Sequence, residues 1–193
     1  MMTVGHIVYK ADDLQAAVEK FRAQGFEVEY GRAKNPSNAL IYFSQGPYLE
    51  IRTGGTLPAL IRRYLRLIGH GQMVDTSDAV AGMPEGYSRV VFEVDREDFG
   101  RLKAICQERG VRTVTARISR KDPHGRDDWA IPMFVTRFAA DTHREAPHPN
   151  GITRMDRIEF EGTRTAVEIC RSAGADDLLA CSVGAGAIRA EFV

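Results

Sequence analysis

The sequence predicts an α+β protein made of repeated β-α-β-β-β units. A β-rich run followed by an amphipathic helix occurs three times, a glycine follows each helix, and further strand-like runs follow each glycine. The three junctions read Gln24-Gly25, Arg109-Gly110 and Ala173-Gly174. Because glycine adopts the left-handed conformation that ends many helices, the recurrence of this junction indicates a repeated structural unit.

The first unit, residues 1–56, contains every element of the pattern. A β-rich run at residues 4–9 is followed by Asp12 and Asp13, either of which can cap the next helix. That helix has one apolar face at helical spacing, formed by Leu14, Ala17, Val18 and Phe21. Turn-forming segments separate three strands after the helix, which we place at residues 26–30, 39–43 and 48–52.

Two further units follow, at residues 87–152 and 153–193. In the second unit we predict strands at residues 89–94, 113–118 and 129–138, a helix at 95–108 and a turn at 122–125. In the third unit we predict strands at residues 155–161, 178–182 and 187–193 and a helix at 163–173. We expect the units to pack together as one compact domain.

Residues 57–86 interrupt the repeat with an added helix and a loop. We predict the helix at residues 57–68, with Thr56 as its cap and Gly69 as its end, and a loop at 69–88. One face of the helix is apolar and predicts burial or an interface; it comprises Leu60, Ile61, Tyr64, Leu65 and Ile68. The opposite face carries Arg62, Arg63 and Arg66, either as a solvated surface or as an anion-binding patch.

The composition of the chain argues against some classes of function, such as general binding to nucleic acid or membranes. The chain has 26 basic and 26 acidic residues, so it has no general attraction for nucleic acid or for a membrane surface. Balanced charge leaves self-association unopposed, and we expect a homodimer. The sequence has no basic segment followed by a long apolar run and no membrane-length apolar stretch, so we expect a cytoplasmic protein. Its three cysteines lack CxxC spacing and indicate reduced, buried thiols.

Several motifs resemble those of glyoxalase-like proteins of the vicinal-oxygen-chelate superfamily. The residues that carry the resemblance are Gly5-His6-Ile7-Val8-Tyr9, residues 38–43, Tyr48-Leu49-Glu50-Ile51, Trp129, Ile131-Pro132-Met133-Phe134 and His148-Pro149-Asn150-Gly151. The resemblance covers residues 4–152. It implies that paired βαβββ modules curl their mixed sheet into a cup, with helices outside. It also implies a metal-dependent lyase, isomerase or dioxygenase that acts on a small oxygen-rich molecule.

The alternation of residues along two strands directs His6 and Glu50 into this cup. Side chains alternate between the faces of a strand, so Ile7 lies opposite to His6, and Leu49 opposite to Glu50. The resemblance implies that such a histidine and glutamate bind a divalent metal together with ligands from a partner module. An imidazole and a carboxylate suit zinc, nickel or iron, and manganese is a further candidate.

The other half of the predicted metal site depends on which later unit pairs with the first. If the middle unit is the partner, the matching positions are Arg89 and either Thr136 or Arg137, which do not form a sensible ligand set. If the last unit is the partner, Arg157 and Glu191 match. Glu191 would then serve as a third ligand or as a general base. Alternatively, Arg157 would pair with the carboxylates and remove the need for a metal.

Three functions therefore remain open, and the sequence does not decide whether the protein is an enzyme. The first is the metal-dependent enzyme with His6, Glu50 and Glu191. The second is metal-free binding of a drug or metabolite in a cup lined by Tyr42, Trp129, Phe134 and Arg157. His148 either packs in its turn or joins that lining. The third is a structural or regulatory partner that uses the added helix as an interface.

Overall fold

A computed structural model describes residues 2–111, 113–119, 122–126, 133–136, 142–145, 147–175 and 177–193. These residues form an eight-stranded mixed sheet, a three-stranded sheet and five helices. Side chains from five adjacent strands of the larger sheet line one cavity, so the sheet is curled. The predicted α+β class and the curled mixed sheet are therefore confirmed.

The first unit supplies one half of the larger sheet. Its elements are β1 (Thr3–Ala11), α1 (Leu14–Ala23), β2 (Glu29–Tyr30), β3 (Asn38–Ile41) and β4 (Tyr48–Thr53). Asp13 caps α1, since its Oδ1 accepts a hydrogen bond of 2.8 Å from the amide of Ala16. Strand β1 lies in the middle of the sheet, parallel to β4 on one side and antiparallel to the next unit on the other.

The segment after β4 contains two helices, α2 (Ala59–Leu67) and α3 (Gly71–Gly82). The prediction of a loop at 69–88 was wrong for α3, whose sequence has little apolar periodicity. Tertiary contacts support this helix instead: Val74 is fully buried, and an ion pair joins Asp75 to α2. The predicted cap at Thr56 was also wrong, because α2 begins after Pro58 without a side-chain cap.

The second unit supplies the other half of the larger sheet. Its elements are β5 (Gly86–Val94), α4 (Phe99–Glu108), β6 (Val114–Ser119), β7 (Asp122–Arg126) and β8 (Met133–Thr136). The sheet order is β2-β3-β4-β1-β5-β8-β7-β6, and β1 pairs directly with β5. The prediction of a turn at 122–125 was wrong. Strand β7 pairs with β6 and with β8, and pairing on both sides outweighs the local preference of its proline and glycine for a turn.

The third unit forms a sheet of its own. It contains β9 (Met155–Gly162), α5 (Arg164–Ala173), β10 (Leu179–Val183) and β11 (Ile188–Phe192), in the order β10-β9-β11. Thr163 caps α5 through a 3.2 Å bond to the amide of Ala166. The inner face of this small sheet, with Ile158 and Phe160, joins the same apolar core as the larger sheet.

The core lies between the convex face of the larger sheet, helices α1, α4 and α5, and the small sheet. It includes Ile7, Val18, Phe92, Ile158 and other side chains from all three units, so one cluster holds the units together. The three cysteines are free thiols; Cys106 and Cys170 are buried as the sequence predicts, whereas Cys181 is only half-buried. Within the described residues no helix is long and apolar enough to cross a membrane.

Candidate functional site

A cavity of about 380 Å³ opens on the concave face of the larger sheet. Strands β3, β4, β1, β5 and β8 form its floor and walls, and the Gly54-Gly55 segment and α3 close one side. The volume lies within the range of small-molecule sites, about 300–1,000 Å³. The apolar part of the lining consists of Val8, Leu40, Val80, Val91, Met133 and Val135. The polar part includes His6, Lys10, Asn38, Tyr48, Glu50, Arg52 and Arg89.

His6 and Glu50 lie side by side in this cavity. His6 is on β1, Glu50 is on the parallel neighbour β4, and both face away from the core. His6 Nε2 is 3.7 Å from Glu50 Oε2, a separation longer than a hydrogen bond. The His6 ring stacks on Tyr48 with centroids 4.5 Å apart. His6 Nδ1 is buried and has no hydrogen-bond partner in the described part of the molecule.

His6 is a neutral imidazole at physiological pH. Burial lowers the pKa of His6 to about 3, and the positive charges of Arg52 and Arg89 act in the same direction. The carboxylate of Glu50 would stabilise a protonated ring, but at 3.7 Å it does not offset burial and two arginines. His6 therefore offers a hydrogen-bond acceptor or a metal-binding lone pair rather than a positive charge.

Glu50 is fixed by its neighbours on the sheet. Asn38 on β3 donates a 2.9 Å hydrogen bond from Nδ2 to Glu50 Oε1, and Arg52 Nη1 lies 4.0 Å from the same oxygen. Only 14% of the Glu50 side chain is exposed. Burial, and to a smaller extent Glu50, raises the pKa of Tyr48, so its hydroxyl stays protonated and can donate to a ligand.

The cavity carries more positive than negative charge. Three cationic residues line it, whereas Glu50 is the sole carboxylate among the described lining residues. Lys10 is buried and forms an ion pair with Asp12 just outside the lining. Arg89 Nη1 lies 3.6 Å from the sulfur of Met133, on the wall opposite to Glu50. Arg52 is half-exposed. Cationic side chains therefore outnumber carboxylates among the described residues that line the cavity.

Of the predicted aromatic lining residues that the structure describes, Tyr42 lies beside the site and Phe134 does not. The centroid of the Tyr42 ring lies 5.5 Å from that of Tyr48. Tyr42 directly follows β3 and alternates onto the same face as Asn38 and Leu40. The prediction for Phe134 was wrong: Phe134 packs in the core, stacked on Phe92 at 5.6 Å. Because side chains alternate along β8, Met133 and Val135 face the cavity instead. Trp129 lies outside the described residues.

His148 is a core residue and not part of the cavity lining, so its predicted binding role was wrong. Its Nδ1 accepts a 3.0 Å hydrogen bond from the amide of Glu27. Its ring lies 5.3 Å from the rings of Phe26 and Phe43. Burial lowers the pKa of His148. This histidine joins the chain around residue 148 to the segment that follows α1.

Arg157 and Glu191 also lie away from the cavity, which corrects their assignment to the site. They occupy paired positions on β9 and β11 of the small sheet, on its solvent-facing side. Arg157 Nε donates to Glu159 Oε1 at 3.2 Å. The physical reason is that the middle unit, through β5, pairs with β1, while the third unit forms a separate sheet. Glu191 therefore lies outside the cavity that contains His6 and Glu50.

The described residues do not fit a catalytic metal site. Such a site generally needs three protein ligands, and the cavity offers only His6 and Glu50. The facing wall contributes Arg89, Val91 and Met133, of which arginine is a donor only. No cluster of three histidine, cysteine, aspartate or glutamate side chains suited to a metal ion occurs within the described residues.

Two lining residues that the sequence analysis did not single out are Lys10 and Asn38. Lys10 is four positions after His6 on β1 and therefore on the same face. Asn38 is paired with Arg52 and lies diagonally next to Glu50. The alternation argument that placed His6 in the cup identifies Lys10 as well. Asn38 could not be identified in this way, because the sequence places it in a predicted turn. Its position next to Glu50 follows only from the register between β3 and β4.

The sequence of residues 4–169 matches the family model described as the Glyoxalase-like domain. The chain belongs to this family. The match extends beyond the resemblance at residues 4–152 and includes most of α5. No curated protein matches the sequence.

Solved structures with a similar fold share little sequence with this glyoxalase-like chain. A hypothetical protein from Staphylococcus aureus aligns with a TM-score of 0.56 and 12% identity, over 95% of this chain and 87% of its own. The 2,3-dioxygenase LapB from Pseudomonas sp. KL28 aligns with a TM-score of 0.51 and 14% identity, over 89% and 57%. A Streptomyces coelicolor methylmalonyl-CoA epimerase variant, in complex with 2-nitronate-propionyl-CoA, aligns with a TM-score of 0.46 and 21% identity, over 71% of this chain and 97% of its own.

Proposed function

We propose that this glyoxalase-like protein binds a small organic anion in the cup. The observation that carries the proposal is the combination of an apolar floor with a wall of three cationic residues and one carboxylate. The acidic group of the ligand would lie near Arg89 and Arg52. Its carbon skeleton would cover Val91 and Val135, which belong to the small apolar cluster on this face.

The charge distribution supports an anion more than a cation. After burial, Arg52 and Arg89 are the next contributions that lower the pKa of His6, so both guanidinium groups lie near this side chain. Their charges attract a carboxylate or phosphate group and oppose a divalent cation. A guanidinium also forms paired, charge-assisted hydrogen bonds with planar acid groups. Lys10 and Arg52 each have a carboxylate neighbour, Asp12 and Glu50 respectively, which offsets part of their charge.

His6 and Glu50 form a polar pair that would lie next to the bound anion. The neutral His6 ring and the carboxyl group of Glu50 both offer hydrogen-bond acceptors, so together they suit a hydroxyl group or an acidic C–H of the ligand. Asn38 and Tyr48 hold the pair in place. If the protein is an enzyme, Glu50 is our candidate for the base that removes a proton from the ligand.

Metal-dependent lyase, isomerase or dioxygenase chemistry is the second candidate. One observation favours it: an uncharged imidazole and a carboxylate lie 3.7 Å apart, which is half of a divalent-metal site. Completing the site would require ligands beyond the described lining residues, and the ion would have to overcome the field of Arg52 and Arg89. We therefore rank metal-free binding first.

A thermal-shift screen tests the proposal. Small mono- and dicarboxylic acids would be compared with their neutral amides in the presence of chelator. We expect the acids, and not the amides, to raise the melting temperature, because binding to the native state stabilises it. Arg89→Gln should weaken binding about 10- to 100-fold, the value of one charge-assisted hydrogen bond of roughly 1.5–3 kcal/mol. Lys34→Gln, an equal charge change in an exposed loop, should have no effect.

Two results would contradict the proposal. One is equal stabilisation by acids and amides, which would show that the positive field does not select the ligand. The other is stabilisation only after chelator is replaced by zinc, nickel, iron or manganese ions, with loss of that effect in His6→Ala. The second result would favour the metal-dependent candidate.

A further inference from the structure

Helix α2 exposes a concentrated apolar surface that the described part of the chain leaves uncovered. Its large exposed side chains are Leu60 (83% exposed), Ile61 (46%), Tyr64 (60%), Leu67 (76%) and the C-cap residue Ile68 (46%). In the described part of the chain only two other large apolar residues are exposed, Val183 and Val193. Isolated exposed apolar residues are ordinary, but five within nine positions form a patch.

We propose that this patch, called here the α2 face, is the interface of a homodimer. Leu60, Tyr64 and Leu67 follow one another at spacings of four and three residues, so they form a single stripe along the helix. Two such helices can pack together across a two-fold axis, with the stripe of each copy against the same stripe of the other. The proposal does not depend on the ligand proposed for the cavity.

The size of the α2 face agrees with a pair of identical copies. The exposed fractions of its five residues correspond to roughly 600 Å² of mainly apolar surface, at the upper end of what a monomer usually exposes. Two copies together would bury at most about 1,200 Å², the lower bound for a specific protein–protein interface. A second copy of the chain would therefore bury the α2 face of both protomers in one interface.

The charges on α2 also favour a second copy of the chain over an anionic partner or membrane. Arg62 forms an ion pair with Asp78 of α3, and Arg66 Nη2 lies 2.6 Å from Asp75 Oδ1. Because these pairs lie within one chain, Arg62 and Arg66 keep their partners when two α2 helices approach. The exposed Arg63, next to Leu60 and Leu67 on the helix, would lie at the rim of the interface. An acidic partner or an anionic lipid surface would have to compete with Asp75 and Asp78 for the same guanidinium groups.

Sedimentation velocity over a range of protein concentrations tests the proposal on the full chain. The wild type should be a dimer with a dissociation constant in the micromolar range or below. The double variant Leu60→Glu/Leu67→Glu should dissociate at least 100-fold more readily. Val183→Glu, a matched change at an exposed apolar residue of the small sheet, should leave the dimer intact. Melting curves should show all three folded, since each altered side chain is exposed.

A cysteine at Tyr64 gives a second, independent measurement. Because Tyr64 is in the middle of the stripe, Tyr64→Cys should form an intermolecular disulfide under oxidation by copper phenanthroline, whereas Val183→Cys should not. A wild type that is monomeric throughout, a double variant that stays dimeric, or a lack of cross-linking in a dimeric Tyr64→Cys would each overturn the proposal. So would co-sedimentation of the wild type, but not of the double variant, with phosphatidylserine vesicles.

Discussion

His6 is a buried histidine that the fold keeps uncharged. It is 6% exposed, stacked on Tyr48, and surrounded by two arginines on the cavity wall. Its Nδ1 is left without a partner among the described residues, which costs stability in a folded protein. Buried groups with strongly shifted pKa values concentrate at functional sites, and His6 lines the cavity with its Nε2 next to Glu50.

The shifted pKa of His6 predicts a specific pH dependence of stability. In the unfolded chain the pKa is near 6.5, whereas in the native protein it is about 3. Between these values the unfolded state binds a proton that the native state does not. The free energy of unfolding should therefore fall by up to about 1.4 kcal/mol for each pH unit below 6.5. Above pH 6.5 the ring is neutral in both states and contributes no slope.

Urea denaturation of the wild type and of His6→Gln at several values between pH 7 and pH 4 measures this effect. The buried His148 adds a slope of the same sign to both proteins, because its pKa is lowered too. We compare slopes rather than absolute stabilities, since the substitution itself changes the packing. The variant should show the shallower decline towards pH 4. Parallel declines in the two proteins would mean that His6 is protonated in the native state.

Secondary-structure elements with local signals were predicted well, and those held by tertiary contacts were not. Helix α1 has an apolar stripe, a capping aspartate and a terminal glycine, and it was placed within two residues of its ends. Helix α3 has none of these signals and depends on Val74 and on its ion pairs with α2. Strand β7 likewise depends on pairing with β6 and β8. Local sequence cannot reveal either, because the stabilising groups are distant in the chain.

The cap of α1 should make a measurable contribution to the stability of the protein. Asp13→Ala removes the acceptor for the Ala16 amide and should lower the free energy of unfolding by about 1 kcal/mol. Asp13→Asn keeps a side-chain oxygen at the same position and should cost far less. Urea denaturation at pH 7 compares the two. Equal losses in both variants would indicate that the charge of Asp13, rather than its hydrogen bond, stabilises the helix.

At the scale of the whole molecule, the sequence predicted one half of the site and not the other. The alternation of side chains along β1 and β4 was enough to bring His6 and Glu50 to the same cavity. The facing wall depends on how the units pair, and equivalent repeats do not specify their own partners. Once β5 pairs with β1, Arg89 and Val91 face His6, while Arg157 and Glu191 belong to a separate sheet. This choice of partner places Arg89 and Val91, rather than Arg157 and Glu191, opposite the predicted half-site.

Helix α3 lies between the cavity and helix α2. Ser77 and Val80 of α3 line the cavity, and its Asp75 and Asp78 bind α2, whose outer face we propose as the dimer interface. Dimerisation should therefore hold α3 in place over the cavity. We expect Leu60→Glu/Leu67→Glu to bind the best carboxylic acid more weakly than Val183→Glu does, as measured by calorimetric titration. Identical affinities would show that the α2 face and the cavity are independent.

A crystal structure grown with both a stabilising carboxylic acid and zinc, with data collected at the zinc absorption edge, tests the central claim most directly. We expect the ligand inside the cup, with its acidic group within hydrogen-bonding distance of Arg89 or Arg52 and without an anomalous peak beside His6. An anomalous peak about 2.0–2.2 Å from both His6 Nε2 and Glu50 would contradict the metal-free account.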